Sequence, residues 1–241
     1  MTTFTLVHGV WHSGQGWERV VPLLEAVGHR VFAPSLTGYG DKVDLAGPDV
    51  GLDTHVDDVV GLITEEHLDD VVLVGHSYAG LVISSAANRV PERVAHLVYL
   101  DAMVPEHGET AADVQPMTRR PIELAEQSEH GWRVPPPTEQ PAPVGLFGVT
   151  DPADVAWLRG MLADQPVRCL QQPVWPDNPA VNAIPRTHIH NVGTLPAGIV
   201  RRPVPPVQPN GEASQVWKLP TGHDCMITMP GELGELLLKP A

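Results

Sequence analysis

Cysteine is scarce in this chain of 241 residues: Cys169 and Cys225 are the only two, and neither sits in a CxxC pair. That excludes a disulfide framework and leaves two reduced thiols. Basic residues are also few. Lys and Arg total 15 against 29 Asp and Glu, a formal charge of −14, which repels phosphate backbones and anionic lipid. Nucleic acid and membrane partners are therefore not expected. No apolar run approaches the length that spans a bilayer, and no basic stretch precedes the apolar start at residues 2–7. The expectation is a cytoplasmic protein, with a homodimer left open. No internal repeat is present.

What is there is an alternation of short apolar runs with helical periodicity. Residues 3–8 form a β-rich run ending at His8-Gly9, followed by Trp17, Val20, Val21, Leu24 and Val27 at helical spacing. A second strand signal at 30–33 precedes Leu52, Val56, Val59, Val60 and Ile63 on one helical face, with Asp53 as N-cap candidate. Residues 71–74 and 94–100 are continuous apolar strands flanking a small-residue helix at 81–87. Such strands separated by helices imply an α/β fold with a mostly parallel sheet of about six strands, covered on both faces.

From about 102 to 183 the pattern breaks, with recurring prolines, including Pro135-Pro136-Pro137, among scattered aromatics. Insertions of this length are lids or disordered segments. Residues 146–148 and 155–162 carry enough apolar character to pack, which favours a lid. The sheet pattern resumes at 187–191 and 215–219, and a helix carries Leu233, Leu236 and Leu237. The reading is one domain over 1–241, with core 1–101 and 184–241 and the lid at 102–183. The Pro-rich stretch 202–209 has no role in it.

The chemistry concentrates in Gly75-His76-Ser77-Tyr78-Ala79-Gly80, directly after an apolar strand and before a helix. That is the context of a nucleophile elbow, where the serine takes a strained turn and the residues two before and two after it must be small. A serine that merely caps a helix does not explain Gly75. A serine nucleophile needs a base, and His223, in the loop after the last strand, is the candidate by position. The developing oxyanion needs two N–H donors. Geometry assigns them to Tyr78 and to Val10, with Gly9 allowing close approach of the chain. His188 and His190 alternate on a strand, but no HExxH motif or Cys-His cluster accompanies them, so neither a metal nor any other cofactor is expected.

With His8-Gly9-Val10-Trp11, the elbow at Ser77 and Gly222-His223-Asp224 in order, the chain resembles the α/β-hydrolase superfamily, closest to the plant methylesterase and hydroxynitrile lyase branch and its actinobacterial esterase relatives. The resemblance covers nearly the whole chain and is weakest across the lid. The lyases of that branch carry threonine at the position of Gly9 and lysine at that of Asp224, so both departures favour an esterase. Ser77 at the elbow disfavours the alkyl-enzyme mechanism of relatives with aspartate there. The resemblance places the usual triad acid near Thr194, where no carboxylate stands. Asp101, closing the strand at 94–100, is the substitute, either as triad acid or as a backbone tie at the lid entrance.

The leading expectation is a serine hydrolase acting on a small hydrophobic ester, thioester or lactone, with Ser77, His223 and Asp101 catalytic. Trp11, Tyr78, Trp132, Phe147 and Trp157 are candidate wall residues, each equally explicable as lid core. One rival is a non-hydrolytic tailoring enzyme, a cyclase, dehydratase or lyase using His223 as base, motivated by the missing acid. Another is a ligand-binding protein that kept the pocket and lost catalysis.

Overall fold

A computed structural model of the chain describes residues 1–194 and 198–240. In chain order the elements are β1 (Thr3–Val7), α1 (Val21–Glu25), β2 (Arg30–Phe32), α2 (Leu52–Glu65), β3 (Val71–His76), α3 (Ala79–Arg89), β4 (Val94–Leu100), α4 (Ala111–Val114), α5 (Arg119–Glu126), β5 (Arg133–Val134), α6 (Pro152–Met161), β6 (Gln165–Pro166), α7 (Arg168–Gln171), β7 (Arg186–Asn191), β8 (Gln215–Leu219), α8 (Cys225–Thr228) and α9 (Pro230–Leu237). Six strands form one sheet in the order β2-β1-β3-β4-β7-β8, and all five pairings are parallel.

The continuous apolar runs explain the burial. Alternate residues of a strand point to opposite faces, so Val71 and Leu73 enter one core layer while Val72 and Val74 enter the other. The first layer is closed by Val59 of α2 and Ile83 of α3, the second by Leu24 of α1 and Leu233 and Leu237 of α9. A sheet apolar on both faces can bury both only between helices, and that is the arrangement here.

Two local details differ from expectation. The N-cap of α2 is Gly51, whose N–H donates to the Thr54 hydroxyl oxygen at 3.2 Å, and Asp53 lies inside the first turn, bonded to Gln172. The stretch from Trp17 to Val27 is split between a 3-10 turn at Gly14–Trp17 and the short α1, with Pro22 at its start. Proline lacks the N–H that would continue one helix into the other.

Between β4 and β7 lie α4 to α7 and the antiparallel pair β5–β6. This insertion meets the core through Ala163 N–H on the Trp11 carbonyl at 2.9 Å and Asp224 N–H on the Phe147 carbonyl at 2.9 Å. No helix among the described residues is long and apolar enough to cross a membrane. Leu73 is fully buried at the sheet centre; Leu73→Ala is expected to cost about 2–5 kcal/mol of stability, measured as a lowered midpoint of urea unfolding.

Candidate active site

β3 ends at His76, and the chain turns at Ser77 into α3 with Ser77 at φ +57°. A non-glycine residue in this left-handed region is strained and is held only by its surroundings. The Ser77 N–H bonds the Leu100 carbonyl at 3.1 Å, and the Ser77 carbonyl accepts from Met103 and Gly80 N–H at 2.9 and 3.1 Å. A side chain at Gly75 would bring its Cβ to 2.7 Å from the Ala79 carbonyl oxygen, which is why the position takes glycine. Gly9 is equally confined: a Cβ there would lie 2.8 Å from the Ser77 Cβ. The first loop thus runs close against the turn at Ser77.

His223 follows β8 and donates from Nδ1 to Asp101 Oδ2 at 2.7 Å. Its carbonyl accepts from Asn191 Nδ2 at 2.8 Å and from His76 Nε2 at 3.1 Å, which fixes the loop on both sides. Asp101, at the end of β4 with φ +44°, is a buried carboxylate with further donors. Arg201 reaches its Oδ1 from Nη2 at 2.7 Å and from Nε at 3.2 Å, and also donates to the Asn191 carbonyl. The Asn191 N–H lies 3.3 Å from the same oxygen. Burial works to raise the Asp101 pKa, but His223 and Arg201 outweigh it and hold the carboxyl below its ordinary value. Sequence reasoning missed Arg201 and Asn191, which carry no motif of their own and matter only through where the fold puts them.

The first loop is pinned from behind by histidines in two charge states. His8 accepts from Leu36 N–H at Nε2 (3.0 Å), so its proton lies on Nδ1 and is donated to the Gly9 carbonyl at 2.9 Å. Burial lowers its pKa to about 3. His12 instead donates from both nitrogens, to the Val10 carbonyl at 2.7 Å and to Asp224 Oδ2 at 2.9 Å. Burial opposes its charge, but the carboxylate of Asp224 outweighs that and raises its pKa. The buried His12–Asp224 pair therefore ties the residue before the first-loop tryptophan to the residue after His223.

Val10, Trp11, Phe147, Ser77, Asp101 and His223 line one cavity of about 540 Å³. The wall is mostly apolar, including Met103, Val104, Leu146, Ile199, Val204 and Val207, so the Pro-rich stretch that had no role forms part of it. Four expected residues stand apart from this lining. Gly9 lies behind it against Ser77, and the Tyr78 ring is buried in the core with its hydroxyl donating to His55 Nδ1 at 3.0 Å. Trp132 packs under the Arg133 guanidinium at 5.2 Å, and Trp157 under that of Arg19 at 5.0 Å. As wall residues Tyr78, Trp132 and Trp157 are corrected to core and insertion packing, because their rings turn to neighbouring cations and apolar groups. Among the described residues no three His, Cys, Asp or Glu side chains are placed to hold a metal ion.

The model of a family described as the alpha/beta hydrolase family matches residues 6–236. A carbendazim hydrolyzing esterase from Nocardioides sp. (strain SG-4G) is 37% identical over 243 residues, 98% of either chain. Methylesterase 1 of Arabidopsis thaliana is 39% identical over 105 residues, 43% of this chain and 40% of that one. Among solved structures, an extracellular alpha/beta-hydrolase from a Paenibacillus species superposes with a TM-score of 0.79 at 21% identity, covering 100% of this chain and 99% of that one. A likeness at that identity shows the fold.

The histidines generate a pH prediction. His8, His55 (about 4) and His76 have pKa values lowered by burial, so below the ordinary value near 6.5 the unfolded chain binds protons that the folded chain refuses. Stability falls as the pH drops from about 6.5 toward about 4. His12 acts oppositely: its raised pKa contributes stability that is full below about 6.5 and is lost as the pH rises through the folded value. Asp224→Asn is expected to cost about 3–5 kcal/mol by breaking the buried pair and to abolish the alkaline loss while leaving the acid one. Melting temperature against pH for both proteins checks each limb.

Proposed function

Because the chain belongs to the alpha/beta hydrolase family, we propose that it is a serine hydrolase cleaving a small hydrophobic ester, thioester or lactone through an acyl-enzyme on Ser77. The observation that carries this is the 2.7 Å bond from His223 Nδ1 to Asp101. It commits one ring nitrogen to the carboxylate and leaves Nε2 as the base. The full-length likeness to a carbendazim hydrolyzing esterase supports ester hydrolysis as the reaction.

In this reading Ser77 Oγ attacks the substrate carbonyl carbon while His223 Nε2 takes the hydroxyl proton. The N–H groups of Val10 and Tyr78 hold the oxyanion, and the close contact of Gly9 with Ser77 keeps the first in range. As the tetrahedral adduct collapses, the carbonyl–leaving-group bond breaks and the leaving alcohol, or thiol for a thioester, takes the proton from His223; from a lactone the released hydroxyl stays on the acyl group. Water then attacks the acyl-enzyme with the same base, releasing the acid and restoring the serine. The insertion acts as a lid, with Trp11, Phe147 and Leu146 walling an apolar space. Asp101 supplies the carboxylate whose absence near Thr194 motivated a non-hydrolytic reading, and that reading loses its motive.

A series of p-nitrophenyl esters from acetate to decanoate tests this. Ser77→Ala is expected to abolish turnover, and Asp101→Asn to lower kcat by about 10⁴-fold. A fluorophosphonate is expected to label Ser77 stoichiometrically; an unlabelled protein inert toward every ester would overturn the proposal in favour of a binding protein.

A further inference from the structure

β7 gives the cavity a polar row that the hydrolytic machinery does not use. Arg186, His188 and His190 alternate along the strand, so they share a face, and all three line the cavity. The Asp101 N–H bonds the Ile189 carbonyl at 2.7 Å, so the row begins beside Asp101 at His190 and leads away to Arg186 in two-residue steps of roughly 6.6 Å.

The row is rich in uncommitted donors. His188 is only 8% exposed and stacks on Tyr99 at 5.2 Å, yet its ring nitrogens make no hydrogen bond among the described residues. Burial lowers its pKa to about 4, so the ring is neutral with one N–H to give. The Nε of Arg186 is buried without a partner, and its Nη2 reaches only the Val181 carbonyl, at 3.4 Å. Among the described residues it has no carboxylate in ion-pair range. The other two cavity arginines are spent, Arg201 on Asp101 and Arg202 on Glu109 at 2.6 Å.

The buried Arg186 Nε without an acceptor is costly, and a cavity face lined by it and by histidines with no hydrogen-bond partner among the described residues favours an occupant that brings the acceptor. Prolines and valines of the 203–209 stretch line the same cavity, so the group between the reacting carbonyl and that acceptor is apolar. We propose that Arg186, His188 and His190 form a carboxylate-binding arm, and that the preferred substrate is a half-ester with an apolar chain between its scissile ester and a free carboxylate. The net charge of −14 does not forbid an anion here, since exposed charges beyond about 8–10 Å are screened at physiological salt. The position of the scissile bond rests on the serine hydrolase reading; recognition of the carboxylate does not.

Monomethyl and dimethyl esters of straight-chain dicarboxylic acids of graded length test the arm. Wild type is expected to favour the half-ester by about tenfold in kcat/KM at the length that reaches Arg186, and Arg186→Met to erase that ratio. Arg186→Lys, which keeps the charge, is expected to retain part of it. Since a fault in β7 would mimic the loss, His188→Phe, which keeps the stack on Tyr99, serves as a second variant expected to lower the same ratio. Equal use of both esters by wild type, or a ratio that survives Arg186→Met, overturns the arm and leaves the hydrolase standing. If neither ester is cleaved, calorimetry with the free dicarboxylate decides. Binding by wild type and Ser77→Ala that disappears in Arg186→Met supports the arm without the hydrolase, and no binding to wild type overturns it.

Discussion

The site is organised around one desolvated carboxylate. Asp101 has a side chain 4% exposed, and removing a carboxylate from water is expensive unless donors replace the lost hydration. Those donors come from three separate parts of the chain: the loop after β8 through His223, the end of β7 through Asn191, and the head of the Pro-rich stretch through Arg201. Each must be in place for the charge to be tolerated. The carboxylate consequently makes the arrangement of these segments cooperative, and orienting His223 is one result of satisfying it.

Backbone strain collects at the same place. Among the described residues six non-glycine positions have positive φ, and Trp11, Ser77, Asp101 and Phe147, four of the six, line the cavity. Conformations of this kind persist only where surrounding contacts over-determine them. The contacts are present: Trp11 Nε1 donates to the Val134 carbonyl at 2.9 Å, Ser77 is bonded through both its N–H and its carbonyl, and the Phe147 carbonyl accepts from Asp224 N–H. The strained positions lie after β3 and β4, in the loop after β1 and in the insertion, and hydrogen bonds within the core and between core and insertion hold them. Backbone and side chains are thereby aimed into the cavity in directions that relaxed loops would not give them.

The parts of this picture legible in the sequence are those set by local pattern. Continuous apolar runs at β3 and β4, the small residues flanking Ser77, and the order of Ser77 and His223 each depend on neighbours a few positions away. The Trp157 ring, Arg201 and the His12–Asp224 pair depend on contacts across the chain: His12 meets a residue 212 positions distant, and Arg201 one 100 positions distant. No periodicity encodes such a meeting. Trp157 shows the ambiguity plainly, because an aromatic on an amphipathic helix can face a cavity or a surface arginine, and only the helix's seat against Arg19 decides. Asp53 lost the capping position to Gly51 for a related reason, since its carboxylate is drawn to Gln172 of the insertion.

The Pro-rich stretch contributes stiffness to the cavity wall. Pro203, Pro205, Pro206 and Pro209 are exposed to solvent, so their backbone can be hydrated and burial does not dictate their use. Each proline instead fixes φ near −65° and limits the conformations the segment can take. The segment still needs anchoring, and side chains supply it at both ends. Arg201 and Arg202 bind Asp101 and Glu109 at one end, while at the other the buried Gln208 accepts from Arg186 N–H at 2.6 Å and donates to the Ala213 carbonyl at 3.0 Å. Because Gln208 closes on the first residue of β7, the wall and the donor row are positioned by one joint, and proline content that looked featureless in the sequence is a means of holding a stiff wall beside a polar strand.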